Sequence, residues 1–103
     1  MTGYDFHPRA LNDLDEIWGF IAADNLDAAD GVIGEILAAI DALVAFPDRG
    51  HKRPDLTSRP LRFTLIGDYL IAYAPEEKPL WVIAALHGRR NPRVMAAILR
   101  SRE

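Results

Sequence analysis

Leu61-Arg62-Phe63-Thr64-Leu65-Ile66, then Gly67-Asp68, then Tyr69-Leu70-Ile71-Ala72-Tyr73-Ala74 is the stretch that decides the fold. Two runs rich in apolar and aromatic residues flank a two-residue Gly-Asp connection, the sequence signal of a β-hairpin. Pro75-Glu76-Glu77-Lys78-Pro79 makes a second short connection, and Leu80-Trp81-Val82-Ile83-Ala84-Ala85-Leu86 is apolar enough to lie inside a sheet. Loops this short enforce antiparallel pairing, so residues 61–86 read as a three-stranded meander. Leu61, Phe63 and Leu65 share one face of its first strand, with Arg62, Thr64 and Ile66 on the other. Both faces are partly apolar. Helices can cover one; the pattern does not say what covers the second.

Upstream of the meander the hydrophobic period changes from two to 3.6. Ala10, Leu14, Ile17, Trp18 and Ile21 recur at three- and four-residue steps from Pro8 to about Ala23, with Asn12, Asp13, Asp15 and Glu16 on the opposite face. Asp24-Asn25-Leu26-Asp27 breaks this pattern, and Asp27 reads as the cap of a second helix carrying Ala29, Ile33, Ile36, Leu37, Ile40, Leu43 and Val44. A connection this short makes the two helices an antiparallel hairpin. Gly31 and Gly34 inside the second helix each cost up to about 1 kcal/mol relative to Ala. They fit either close approach of another element or a neutral surface position. Phe46-Pro47-Asp48-Arg49-Gly50 ends the helix, and a polar loop containing Pro54 and Pro60 follows. Tyr4-Asp5-Phe6-His7 reads as a short strand entering the first helix at Pro8. After Asn91-Pro92, residues Arg93 to Arg100 read as a short last helix. The expected fold is α+β: an N-terminal strand, an antiparallel helical hairpin, a three-stranded antiparallel meander and a short C-terminal helix, in one domain spanning residues 1–103.

Composition narrows the function classes. The net charge of −3 hides two unlike halves: residues 1–48 hold ten Asp/Glu and one Arg, whereas 49–103 hold eleven Lys/Arg and five acids. Such overall acidity disfavours coating of nucleic acid and sequence-specific DNA binding by this chain alone, but leaves room for a local basic site. With no cysteine there is neither a disulfide framework nor a thiolate metal site, and His7, His51 and His87 are not at ligand spacing, so no metal or cofactor is expected. Met1-Thr2-Gly3-Tyr4-Asp5 lacks the features of a leader, and no apolar run reaches the roughly 18 residues of a membrane span. The expectation is a cytoplasmic protein.

An ordered set of residues gives the chain a family resemblance. Ala10-x-x-Asp13-Leu14-x-x-Ile17-Trp18-x-x-Ile21-Ala22, Ala29 through Ile36 and Ile40, Phe46-Pro47-x-x-Gly50, Arg62, Gly67-Asp68-Tyr69-Leu70-Ile71-x-Tyr73 and Leu86-His87-Gly88-Arg89-Arg90 together resemble a ParE-type toxin of the RelE/ParE superfamily. The match runs from about Tyr4 to Arg93, and its element order is that family's βααβββ. The resemblance implies a bacterial type II toxin, neutralised by a ParD-like antitoxin in a heterotetramer or larger assembly, which inhibits DNA gyrase when free. Two alternatives remain on the same fold: a ribosome-dependent messenger RNA endoribonuclease of the RelE kind, and a non-toxic module that only binds antitoxin.

The candidate residues follow from chemistry and exposure. Messenger cleavage by 2′-hydroxyl attack needs proton transfer and cationic stabilisation of a phosphorane, for which Arg62, His87 and Arg90 are the available set. The RelE-like nucleases also use a C-terminal aromatic, usually tyrosine. Here Gly88 follows His87 and no Tyr follows Tyr73. The leading expectation is therefore binding rather than catalysis, with Arg62, His87, Arg89, Arg90, Lys52 and Arg53 as target contacts. Trp18, Ile21 and Trp81 are the expected antitoxin anchors, since aromatic and aliphatic side chains hold an amphipathic helix in a groove and an open strand edge accepts an added strand.

Overall fold

Leu80 to His87 forms the strand on which everything else is assembled. In the computed structural model, which describes residues 3–103, the elements run β1 (Tyr4–Phe6), α1 (Pro8–Ala22), α2 (Leu26–Ala45), β2 (Arg62–Ile66), β3 (Tyr69–Ala74), β4 (Leu80–His87) and α3 (Pro92–Arg100). A single 3₁₀ turn, Pro47–Arg49, follows α2. The sheet order is β1-β4-β3-β2. The meander is antiparallel as expected, whereas β1 lies parallel to β4, with Tyr4 opposite Leu80 and Phe6 opposite Val82. The sheet is therefore mixed: a helical hairpin separates β1 from β4, which supplies the long crossover that parallel pairing requires.

Local rules account for most boundaries. His7 caps α1, its Nδ1 accepting from Arg9 N–H at 3.1 Å, and Pro8 takes the first turn. Asn25, not Asp27, caps α2: its side chain accepts from Ala28 N–H at 2.9 Å. The helix starts two residues earlier than the sequence suggests, which leaves Asp27 in the first turn, where a carboxylate is favoured by the helix dipole. Gly67 turns the β2–β3 hairpin with φ of +58°, a left-handed conformation that costs glycine nothing. Gly50 is required for a different reason. A Cβ there would lie 2.5 Å from the Tyr73 hydroxyl and 2.9 Å from the Phe63 carbonyl. By contrast, a Cβ at Gly31 or Gly34 would meet nothing within 4 Å, so no element closes on α2 at either position.

Two cores form, one on each face of the sheet. Ala10, Leu14 and Ile17 of α1 and Ile36, Ile40 and Leu43 of α2 pack against Ile71, Tyr73, Leu80, Val82 and Ala85. The second face, unassigned by the sequence, is sealed by α3 and the loop before β2: Met95, Leu99, Leu56 and Leu61 cover Phe63, Leu70, Ala72, Ile83, Ala84 and Leu86. A bulge in β4 distributes its side chains between them. Ala72 pairs with Ala84 but Tyr73 with Val82, so Ile83 is an extra residue and both Ile83 and Ala84 turn to the α3 side. Tyr73 anchors the sheet to the loop, its hydroxyl donating to the Pro47 carbonyl at 2.6 Å and accepting from Gly50 N–H at 2.9 Å. Among the described residues no helix is long and apolar enough to cross a membrane.

Candidate functional site

The helical hairpin does not cover its face of the sheet completely. Alongside the second half of α1 a groove of about 670 Å³ opens between α1, α2 and the end of the sheet. Ile17, Ile21, Val32, Tyr69 and Ala85 give it an apolar floor, and polar and charged residues line it as well: Asp13, Glu16 and Asp68 with His87 and Arg90. Phe20 stands at its edge with 81% of its surface exposed. A phenyl ring left in water beside an apolar cleft is a large unused contact surface.

The ends of β3 and β4 position the cationic side of the groove. His87 is the last residue of β4, paired with Tyr69 in the ladder, and the two rings meet edge to face at 5.6 Å. His87 Nδ1 accepts from Arg89 N–H at 3.2 Å, which fixes the turn into Gly88-Arg89-Arg90. Gly88 sits against the hairpin turn, its N–H donating to the Asp68 carbonyl at 2.7 Å; a Cβ there would lie 3.2 Å from that oxygen and from Leu65. His87, Arg89 and Arg90 all remain exposed.

The structure gathers some of the sequence candidates and separates others. His87, Arg90 and Ile21 share the groove, so an expected target-contact pair and an expected antitoxin anchor are neighbours. Arg62 lies at the other end of the sheet, opposite Tyr73 rather than Tyr69. Its guanidinium donates to the Gly50 carbonyl at 2.8 Å and lies 3.5 Å from Asp48, both ties to the loop after α2. Arg53 grips Asp55 with two bonds of 2.9 and 2.8 Å, which lowers the Asp55 carboxyl and raises the Arg53 guanidinium relative to their ordinary values. Lys52 is exposed in the same loop. Trp18 is half exposed on the outside of the hairpin, tied to α2 by an Nε1–H bond of 2.8 Å to Asp30. Trp81 packs at the margin of the α3-side core, with its ring 6.3 Å from that of His7.

Two groove residues escaped the sequence reading. Phe20 stands three residues after Ile17, at the margin of the apolar stripe of α1, and is not among the residues counted in it. Asp13 was assigned to the polar face, yet it is 9% exposed and paired with the equally buried Arg102. The bulge in β4 creates the backbone groups that Asp13 satisfies, and no periodicity of α1 foretells a bulge elsewhere in the chain.

Comparison with known proteins decides the family. Residues 4–92 match the ParE toxin of type II toxin-antitoxin systems, parDE. The chain belongs to the ParE toxin family. A curated relative from Sinorhizobium fredii (strain NBRC 101917 / NGR234), named "Putative toxin Y4kP", is 33% identical over 88 residues, which cover 84% of this chain and 90% of the relative. The ParE family match spans β1 through β4 and stops at the first residue of α3. As the toxin of a type II system, a ParE-family member has an antitoxin as its partner.

Proposed function

We propose that this toxin is neutralised by a ParD-like antitoxin whose amphipathic segment fills the groove between α1, α2 and the end of β4, and that the free toxin inhibits DNA gyrase. The observation that carries the first half is the apolar floor of Ile17, Ile21, Val32 and Tyr69 beside an exposed Phe20, rimmed by charges of both signs. This is the anatomy of an interface with a desolvated centre and a polar rim. A helix laid there places apolar side chains on the floor, basic ones toward Glu16 and Asp68, and acidic ones toward His87 and Arg90. Phe20 and Ile21 then replace Trp81 as the chief anchors, with Trp18 at the margin. A segment that is disordered when free gives up about 2–5 kcal/mol on ordering, so its anchors must supply more than that. Family membership supports the gyrase reading, and the exposed Arg89 and Arg90 supply cations for target contact.

The nuclease alternative requires Arg62 beside His87 and Arg90, and the sheet register holds Arg62 at the opposite end. Gyrase supercoiling of relaxed plasmid, titrated with purified toxin, tests the proposal. Inhibition relieved by stoichiometric antitoxin supports it. A folded chain that is toxic in cells and leaves supercoiling untouched overturns the gyrase half.

A further inference from the structure

Past Phe6 the edge of β4 has no neighbouring strand among the described residues, and two side chains stand in for one. Asp13 Oδ2 accepts from Ala85 N–H at 3.0 Å, and Arg102 Nη1 donates to the Ile83 carbonyl at 3.2 Å. The two side chains also grip each other: Arg102 Nη1 donates to Oδ2 of Asp13, and Nη2 donates to Oδ1 at 2.9 Å. Arg102 is 7% exposed, and its Nε is buried without a partner among the described residues. Arg102 is itself held in place by Arg59, whose Nη1 donates to the carbonyls of Leu99 and Arg102, both at 3.1 Å. Asp13 and Ala85 are at the same time residues of the groove. The segment that seals the far face of the sheet thus reaches the groove lining from behind, and nearly all of it lies beyond the family-matched residues.

We infer that Arg102 is a positioning residue for the groove: its fork holds the Asp13 carboxylate on Ala85 N–H, and so couples docking of the α3 strap to the shape and charge that a partner meets. The inference rests on the groove being the antitoxin site. A bidentate guanidinium fixes a carboxylate in orientation as well as in charge, which a single N–H donor does not. Without it Asp13 becomes a buried anion with one donor, and its cheapest escape is rotation into the groove, toward water. That motion frees Ala85 N–H and places uncompensated negative charge where an apolar segment docks. Coupling of this kind is reciprocal, so a seated partner holds the strap down by the same factor.

Amide hydrogen exchange and antitoxin titration on the full chain test this. In Arg102→Gln the amides of Ala85, Leu86 and His87 should lose about tenfold or more in protection while those of the β2–β3 pairs keep theirs, and antitoxin should bind about tenfold more weakly. Asp13→Asn combined with Arg102→Gln removes both charges and should recover both readouts to within about threefold of the parent. In the parent chain, antitoxin binding should raise protection of the Leu99 to Arg102 amides, a readout independent of any substitution. Loss of protection confined to residues 92–103, with Ala85 and affinity unchanged, would show that Arg102 merely fastens α3 and would overturn the inference. So would a strap whose exchange ignores the bound partner. If the parent does not bind antitoxin at all, the antitoxin reading fails, and the Ala85 exchange alone decides the role of Arg102.

Discussion

The helical hairpin and the C-terminal helix cover opposite faces of one sheet, yet only the hairpin side leaves a groove. On the α3 side, Met95, Leu99, Leu56 and Leu61 close over the strands. On the hairpin side, two long helices bury Ile36, Ile40 and Ile71 completely but leave a groove between them and the sheet's end, where Ile21 and Tyr69 are only partly buried. One face is finished by the chain itself, and the other keeps the open groove at which we propose that the partner docks. The difference lies in closure and not in residue type, because both faces are apolar.

The comparison first predicts that the two cores are equally structural. Ile40→Ala and Leu99→Ala, one on each face and both fully buried, should each cost about 2–5 kcal/mol in chemical denaturation. A cost for Leu99→Ala within experimental error would mean that α3 is a loose cover and that both faces are available to partners. Next in size is the asymmetry itself. Phe20→Asp should weaken antitoxin binding by about 2 kcal/mol or more while leaving the denaturation midpoint nearly unchanged, as expected for an exposed anchor. Trp81→Ala, on the other face, should leave affinity within a few fold once its folding is verified; equal losses at both positions would erase the distinction.

Tyr73→Phe removes the hydroxyl that links Gly50 to Pro47 and leaves a buried amide without its acceptor, for a cost of about 1–3 kcal/mol. Antitoxin affinity should not move, since Tyr73 is far from the groove along β3. The smallest effect concerns His7. Burial first, then the charges of Arg102, Arg9 and Arg59, hold its imidazole below the ordinary value, with Asp13 opposing. Protonation therefore favours the unfolded chain: His7 leaves stability unaffected well above pH 6.5, and lowers it as pH falls from there through its folded-state value. A protonated Nδ1 also ceases to accept from Arg9 N–H. His7→Asn keeps a capping oxygen and should flatten this part of the stability profile; an unchanged profile would assign the slope to other groups.

Much of the fold was legible because local rules and global packing agree over most of the chain. The 3.6-residue period of α1 and α2, Gly67-Asp68 between β2 and β3, and Pro8 and Pro92 at helix entries all predict what forms. The misreadings occur where tertiary structure chooses between local equals. Asn25 and Asp27 are both good capping residues, and it is the Asn25 side chain that accepts from Ala28 N–H. The strand at Tyr4–Phe6 forms as expected, and its parallel pairing with β4 is left open by the sequence because three residues do not fix a direction. The site was less legible. His87 and Arg90, candidates because basic residues follow an apolar strand, line the groove, whereas the buried pairing of Asp13 with Arg102 depends on a bulge and a strand edge that exist only in three dimensions. Arg62 looked like a reactive cation and is held by the Gly50 carbonyl and Asp48.

The central claim is that the partner enters on the hairpin side, at the groove. Chemical-shift mapping of the labelled toxin, titrated with the antitoxin's amphipathic segment, tests it most directly. The account predicts that the largest perturbations fall on Ile17, Phe20, Ile21, Val32, Tyr69, His87 and Arg90, with smaller ones relayed to Ala85 and Arg102. Perturbations centred instead on Trp81, Met95 and the outer surface of α3, with Phe20 unmoved, would contradict it.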